Sequence, residues 1–419
     1  MEYLLRGDIC YSENLKTLIC KENAYLHIKD GLCQGVYDSL PKELSSVEIK
    51  DYSGDLILPG MVDLHLHAPQ YGFRGTKMDL ELLDWLNVNT FPEEAKYQNL
   101  DYAERGYRDF VEDLRGSATT RAVIFATLHK DATLLLMKLL EESGLVSYVG
   151  KVNMDRNSPE YLTEHTAEES LKNTKEWLSE IPKDWQNCKP ILTPRFTPTC
   201  SDALMEGLGK LAKEYKLPVQ SHLSENPGEI AWVKELCPDA KHYGDTYDRY
   251  GLLENSIMAH CVYTEGEELS ALKARGTMIC HCPQSNTNLC SGAAPIRYFL
   301  EENVKVGLGT DVAGGANLSM LRAITDAISV SKLRFRLMDQ SLAPLTLEEA
   351  FCLATLSGGS FFGKVGSFLP GYEADALVFH EKRRSVRKQT VKERLEVLLY
   401  TGEESARLQA KFVQGRQLF

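Results

Sequence analysis

The sequence predicts an α/β chain: a (β/α)8 barrel of the TIM type with a composite small β domain made from its N- and C-terminal segments. Three observations predict it. From residue 56 onward, short apolar strand candidates alternate with longer runs of helical period, the pattern of βα units on a parallel sheet. Eight such strand candidates fall within about 300 residues, the arithmetic of an eight-unit barrel. The two ends of the chain lack this alternation and read as short strands and turns. The division is then residues 1–57 with 364–419 as the β domain, and 58–363 as the barrel.

The elements follow in order. Segments 3–5, 25–28 and 35–37 are apolar or alternating and lie between polar and glycine breaks, so the chain opens as a small antiparallel unit. The stretch 56–70, LILPGMVDLHLHAPQ, is apolar, breaks at Pro59-Gly60, resumes at Met61 and ends on His65 and His67. Residues 79–90 place Leu80, Leu83 and Leu86 at helical spacing, and 100–117 form a charged helix. Buried strand 119–128, TTRAVIFATL, leads to helix 131–143, strand 147–154 and a helix around 167–180.

Strand 190–196, PILTPRF, carries Arg195 at its end; helix 201–215 leads to strand 218–223, PVQSHL, which carries His222. After helix 228–236, strand 255–261, NSIMAHC, carries His260. Helix 265–275, strand 277–281, helix 296–303 and strand 304–310, VKVGLGT, bring the chain to Asp311. The tail reads as helix 347–356, a break at GSFLPG, a strand at 374–380, and short strands at 397–400 and 411–414.

Composition narrows the function class. A formal charge of −12 argues against a nucleic-acid backbone or an anionic membrane surface as the main partner. No apolar run approaches the ~20 residues of a membrane span. The start, Met1-Glu2-Tyr3, lacks the basic and apolar regions of a signal peptide. The 11 cysteines are odd in number and scattered, which fits free thiols in a reducing cytoplasm rather than a disulfide framework. Cys280-His281-Cys282 sits on a β-like run before a proline and reads as structural.

The chemistry lies at the strand ends. In barrels of this class the working residues sit at the C-terminal ends of the strands, and the polar residues found there are His65, His67, Arg195, His222, His260 and Asp311. His65 and His67 are two apart, so on a strand both imidazoles share one face. A lone His-x-His is common by chance, and a lone histidine at a strand end is usually a packed core residue. Their joint placement is what points to a metal. Three imidazoles and a carboxylate suit zinc or ferrous iron with a position left for water. Such a site produces hydroxide near neutral pH and needs a proton shuttle beside it. Glu225, three residues after His222, is the candidate; its structural alternative is an acid in the first turn of a helix. The fourth strand ends in Thr193-Pro194-Arg195-Phe196. It offers no lysine that could be modified to bridge a second ion, so one metal is expected.

PGMVDLHLHA, SHLSEN, MAHC and GLGTD together resemble the amidohydrolase superfamily, and GKVGSFLPGYEADALVF resembles that family's return into its β domain. HAPQYGFRGTKMDLELLDWLNVNTFP, LTPRFTPTCSDALM, QSHLSENPGEI and HCPQSNTNL resemble the members of the superfamily that deaminate guanine. The resemblance implies that His65, His67, His222 and Asp311 hold one zinc. Glu225 would move a proton to a purine ring nitrogen. Asp311 would orient the hydroxide and protonate the departing ammonia, and His260 would hydrogen-bond the hydroxide or the tetrahedral centre. Gln70 and Arg195 would bind the oxo-bearing edge of the base, with Phe196 against the ring and His222 also lining the site. It implies guanine plus water giving xanthine and ammonia, and by analogy with relatives a homodimer. Cys261 departs from the glycine that often follows the strand-six histidine in relatives. The metal residues alone fit deamination of cytosine, adenine or an s-triazine equally well. A barrel serving only as a scaffold is the other class of reading, and such barrels usually lack the ligands.

Overall fold

The structure is a computed structural model describing residues 1–382 and 385–419. The first four strands are β1 (Glu2–Asn14), β2 (Thr17–Lys29), β3 (Leu32–Tyr37) and β4 (Ile49–Pro59). β5 (Met61–His67) follows after one residue, Gly60. Then come β6 (Thr119–Phe125), β7 (Val146–Gly150), β8 (Val152–Asn153), β9 (Cys188–Pro190) and β10 (Thr193–Pro194). β11 (Val219–Leu223), β12 (Ser256–His260), β13 (Met278–His281) and β14 (Lys305–Leu308) complete the middle of the chain. β15 (Ala376–Glu381), β16 (Ala406–Val413) and β17 (Arg416–Gln417) end it.

Two four-stranded parallel sheets, β5-β6-β7-β9 and β11-β12-β13-β14, form the two halves of the barrel. One seam is bridged where Leu192 pairs with Val219. The other is laced by the loop after β14: Asp311 N donates to His65 O at 2.8 Å and His67 N donates to Val312 O at 2.7 Å. Every residue of β5 is buried, as expected of a strand with the barrel interior on one face and helices on the other. The helices between strands, such as Leu100–Gly116, Lys130–Ser143, Ala167–Glu180 and Asp202–Tyr215, lie where helical period predicts them. The fourth strand is the irregular one. Pro190 and Pro194 remove ladder donors, and the expected strand 190–196 breaks into β9 and β10 with Arg195 and Phe196 beyond them.

Strands from both ends share one seven-stranded sheet, ordered β17-β16-β15-β4-β1-β2-β3. The expected first barrel strand begins earlier in the sequence reading than in the structure. Leu56–Pro59 completes β4, where it pairs antiparallel with β15. Buried Arg121 joins sheet to barrel, bonding Asp375 through Nε at 2.7 Å and Glu373 through Nη2 at 2.7 Å.

One tail element is corrected. Residues 397–400 are not a strand but part of helix Val391–Thr401. Thr390 and Glu393 close a capping box at its start, and Leu395, Leu398 and Leu399 are buried at helical spacing. Four apolar residues in a row hid that period. Helix Met320–Leu337, absent from the sequence reading, packs behind β14 with Ala323, Ile324, Ala327 and Ile328 buried.

Candidate active site

His65 and His67 leave β5 on one face. The turn Ala68–Phe73 follows directly and carries Gln70. His222 lies in β11, and Ser224 then adopts a positive φ of 46° that turns the chain toward Glu225. His260 ends β12 at φ 72°, and Asp311 follows β14 at φ 49°. Non-glycine residues in this conformation carry strain that the surroundings must hold, and such residues gather at working sites. All nine sequence-predicted residues come together: one cleft is lined by His67, Gln70, Arg195, Phe196, His222, Glu225, His260 and Asp311, with His65 behind them. Leu82, Trp85 and Leu86 add apolar wall.

The imidazoles converge on a point. His67 Nε2 is 3.3 Å from His65 Nε2 and 3.3 Å from His222 Nε2, while Asp311 Oδ1 is 3.1 Å from His65 Nε2 and 3.4 Å from His67 Nε2. Metal–nitrogen bonds of ~2.0–2.1 Å in a tetrahedron put ligand atoms about 3.3–3.4 Å apart. His222 Nδ1 lies 2.6 Å from Arg195 O and must donate to that carbonyl, which leaves Nε2 as a bare lone pair aimed at the others. Lone pairs facing one another are stabilised by a cation. The donor set therefore fits a metal ion. Burial holds His65 and His222 below the ordinary imidazole value and lowers His67 to about 4, so all three rings are neutral at neutral pH, the form in which an imidazole can bind a metal. Burial alone would raise Asp311, but the His65 and His67 rings outweigh it and keep its carboxyl well below the usual range.

Glu225 stands at the rim of this group. Its Oε2 is 3.4 Å from His260 Nε2, and Ser291 Oγ donates to its Oε1 at 3.3 Å. The helix Pro227–Leu236 is capped by Asn226 and Glu229, and Glu229 Oε2 accepts from Glu225 N at 3.0 Å. The first-turn acid is thus Glu229, which frees the Glu225 carboxylate to face the cleft. Burial, and then the Asp311 charge, push Glu225 well above the ordinary carboxyl value. His260 Nδ1 pairs with Asn286 Oδ1 at 2.8 Å, and its Nε2 is 3.7 Å from Asp311 Oδ2.

The amidohydrolase family profile matches residues 56–404 of this chain. The chain belongs to the amidohydrolase family. Over 345 residues it is 44% identical to the guanine deaminase of Homo sapiens, covering 80% of this chain and 75% of that protein. It is 36% identical over 413 residues to the guanine deaminase of Escherichia coli (strain K12), covering 95% and 91%. The crystal structure of guanine deaminase from C. acetobutylicum, with guanine bound in its active site, superposes with a TM-score of 0.97 at 43% identity over 100% of both chains. Amidohydrolases are metal-dependent, and the donor geometry here agrees with that.

The sequence reading missed Glu94. It lies in the short helix Phe91–Glu94 and is 1% exposed. Its Oε1 accepts from Gln70 Nε2 at 2.8 Å and from Arg195 Nη2 at 3.2 Å, and its Oε2 accepts from Arg195 Nη1 at 2.6 Å. In sequence it is one of two adjacent glutamates between the helical runs 79–90 and 100–117, and no spacing rule links it to Gln70 or Arg195.

Two buried cysteines, Cys282 and Cys261, lie near this amidohydrolase site. Cys282 lies among His65, His260 and Asp311, within 4.8 Å by donor atom. Burial, and then its hydrogen bond with Cys280, push its thiol well above the usual value. Cys261 is buried in the main apolar core, where burial likewise raises its thiol.

Proposed function

We propose that this amidohydrolase is a guanine deaminase, converting guanine and water to xanthine and ammonia. The observation that carries the reading is the joint lining of one cleft. Gln70, Arg195 and Phe196 suit the oxo edge and face of a purine, while Glu225, His260 and Asp311 stand beside the converging histidines. The identity with guanine deaminases over most of the chain supports the same substrate.

His65, His67, His222 and Asp311 would hold one zinc ion per chain, with ferrous iron the alternative. When bound, such an ion supplies the Lewis acidity that lets water lose a proton near neutral pH. Glu225, its carboxyl raised by burial, is suited to take that proton and deliver it to the ring nitrogen beside the amino-bearing carbon. Protonating that nitrogen avoids localised negative charge on the ring as the carbon becomes tetrahedral. Asp311 orients the attacking oxygen, takes the proton that this oxygen still carries in the tetrahedral centre and passes it to the departing amine as the carbonyl forms, and His260 donates to or accepts from the same oxygen. Phe196 packs against the ring. Analogues lacking the matching oxo and ring N–H groups would leave buried polar groups unpaired, which rejects them by large factors. Eleven free cysteines support a reducing compartment.

The test is ammonia release with xanthine formation from the metal-loaded protein, across guanine, adenine and cytosine. Turnover of guanine far above the others is expected, and metal-loaded protein inactive on guanine refutes the reading.

A further inference from the structure

Buried carboxylate Glu94 links both groups assigned to base recognition, and it touches neither the metal ligands nor Glu225. We infer that Glu94 is a specificity-determining positioning residue: by pairing with Arg195 and anchoring Gln70 it makes the base-reading edge electrically neutral, so that the cleft favours a neutral purine over an anionic one. The inference rests on the proposed guanine reading and deepens it.

The geometry supports both halves. A guanidinium has five N–H donors. Glu94 takes one from Nη1 and one from Nη2, the fork-to-fork arrangement that fixes a guanidinium plane, and leaves the remaining donors for a ligand. It also takes one of the two Gln70 Nε2 hydrogens, while Gln70 Oε1 accepts from Ala313 N at 3.3 Å. That fixes which way the amide faces and leaves it one N–H. Phe91, on the same short helix, lies 5.1 Å from the Arg195 guanidinium. Arg195 and Gln70 are each 2% exposed, so without Glu94 the guanidinium would carry a full charge into the cleft wall with little water to screen it.

This bears on product release. Exchanging the ring amine for a second oxo group makes xanthine the more acidic purine, so product is partly anionic where substrate is neutral. An uncompensated Arg195 would hold that anion. A compensated one lets it go.

The experiment compares Glu94→Gln and Glu94→Asp with the wild type. It measures kcat and KM for guanine, competitive inhibition by xanthine from pH 6 to 9, metal content and circular dichroism. In Glu94→Gln, xanthine inhibition should tighten by about 10- to 100-fold, the scale expected for removing one charge at short range in a partly screened site. The tightening should grow as xanthine ionises, while guanine kcat/KM falls. Glu94→Asp keeps the charge but sets the carboxylate back, so guanine kcat/KM should fall without any gain in xanthine affinity. A folded Glu94→Gln whose xanthine inhibition is unchanged or weaker overturns the proposal. If that variant does not fold, Glu94→Asp decides: wild-type kcat/KM for guanine overturns the proposal, and a fall with unchanged xanthine affinity supports it. Wild-type protein that fails on guanine overturns the functional reading instead, before either variant is considered.

Discussion

Glu225→Gln separates proton transfer from everything else the residue does. Gln is nearly isosteric, and its carbonyl oxygen can still accept from Ser291 Oγ as Oε1 does at 3.3 Å. The backbone bond from Glu225 N to Glu229 is untouched. Folding stability should therefore change by under about 1 kcal/mol, the net worth of one ordinary hydrogen bond. Neither Glu225 oxygen belongs to the convergent donor group, so metal content should stay at the wild-type level. The proposed shuttle is what disappears. Positioned acid–base groups contribute roughly 10²–10⁴-fold, which is about 2.7–5.4 kcal/mol of barrier.

The expected result is a kcat lower by two to four decades, with KM for guanine, thermal midpoint and bound metal close to wild type. Steady-state kinetics by xanthine absorbance, elemental analysis and calorimetry give all four. A variant within tenfold of wild-type kcat refutes the assignment. His260, whose Nε2 faces the same space 3.4 Å away, would then be the next group to test.

Three further outcomes are expected. Chelation should abolish turnover, and readdition of zinc should restore it; activity surviving verified metal removal refutes the metal assignment. Arg121→Ala removes a buried cation from Asp375 and Glu373, and breaking a buried pair from one side should lower stability by about 3–5 kcal/mol in a denaturant titration; a loss under ~1 kcal/mol would show that the sheet–barrel seam does not depend on it. Burial, and then the nearby Arg115 charge, lower Lys411 from 10.5 to about 7, and its Nζ donates to Arg115 O at 2.7 Å and Thr119 O at 2.9 Å. The unfolded lysine holds its proton up to its ordinary value and the folded one releases it earlier, so this group's contribution to stability rises with pH between those two values. Subtracting the Lys411→Met stability curve from that of the wild type should leave this rise, and a flat difference refutes it.

What the sequence made legible follows from the range over which each signal acts. His65 and His67 are two residues apart on a strand that must bury both faces, and local rules suffice to place both rings on one side. His222, His260 and Asp311 were legible because barrel strands end on a common rim, so residues far apart in the chain inherit a shared neighbourhood from topology. Residues 397–400 misled because an apolar run of four carries no period; the deciding signal was the Thr390–Glu393 cap upstream. Leu58-Pro59, placed at the start of the barrel, misled for a related reason. An apolar run before a Pro-Gly break suits a barrel strand and a sheet strand equally, and only its pairing with β15, more than 300 residues away, assigns it.

Glu94 was illegible for a different reason, and it shows where sequence reasoning stops. Its role is defined by two partners, one 24 and one 101 residues away, neither fixed relative to it by any periodicity. Arg195 could be picked out as a charged residue at a strand end, yet a charge buried there with nothing to balance it would be unstable. That requirement for a buried counter-charge is a physical constraint the sequence already carries. It says that an acid must meet Arg195 but not which of the 59 acidic residues does so. The fold resolves the choice by bringing helix Phe91–Glu94 against Arg195 beyond the fourth strand, so the residue proposed to tune the charge of the substrate edge is supplied by tertiary structure rather than by any motif.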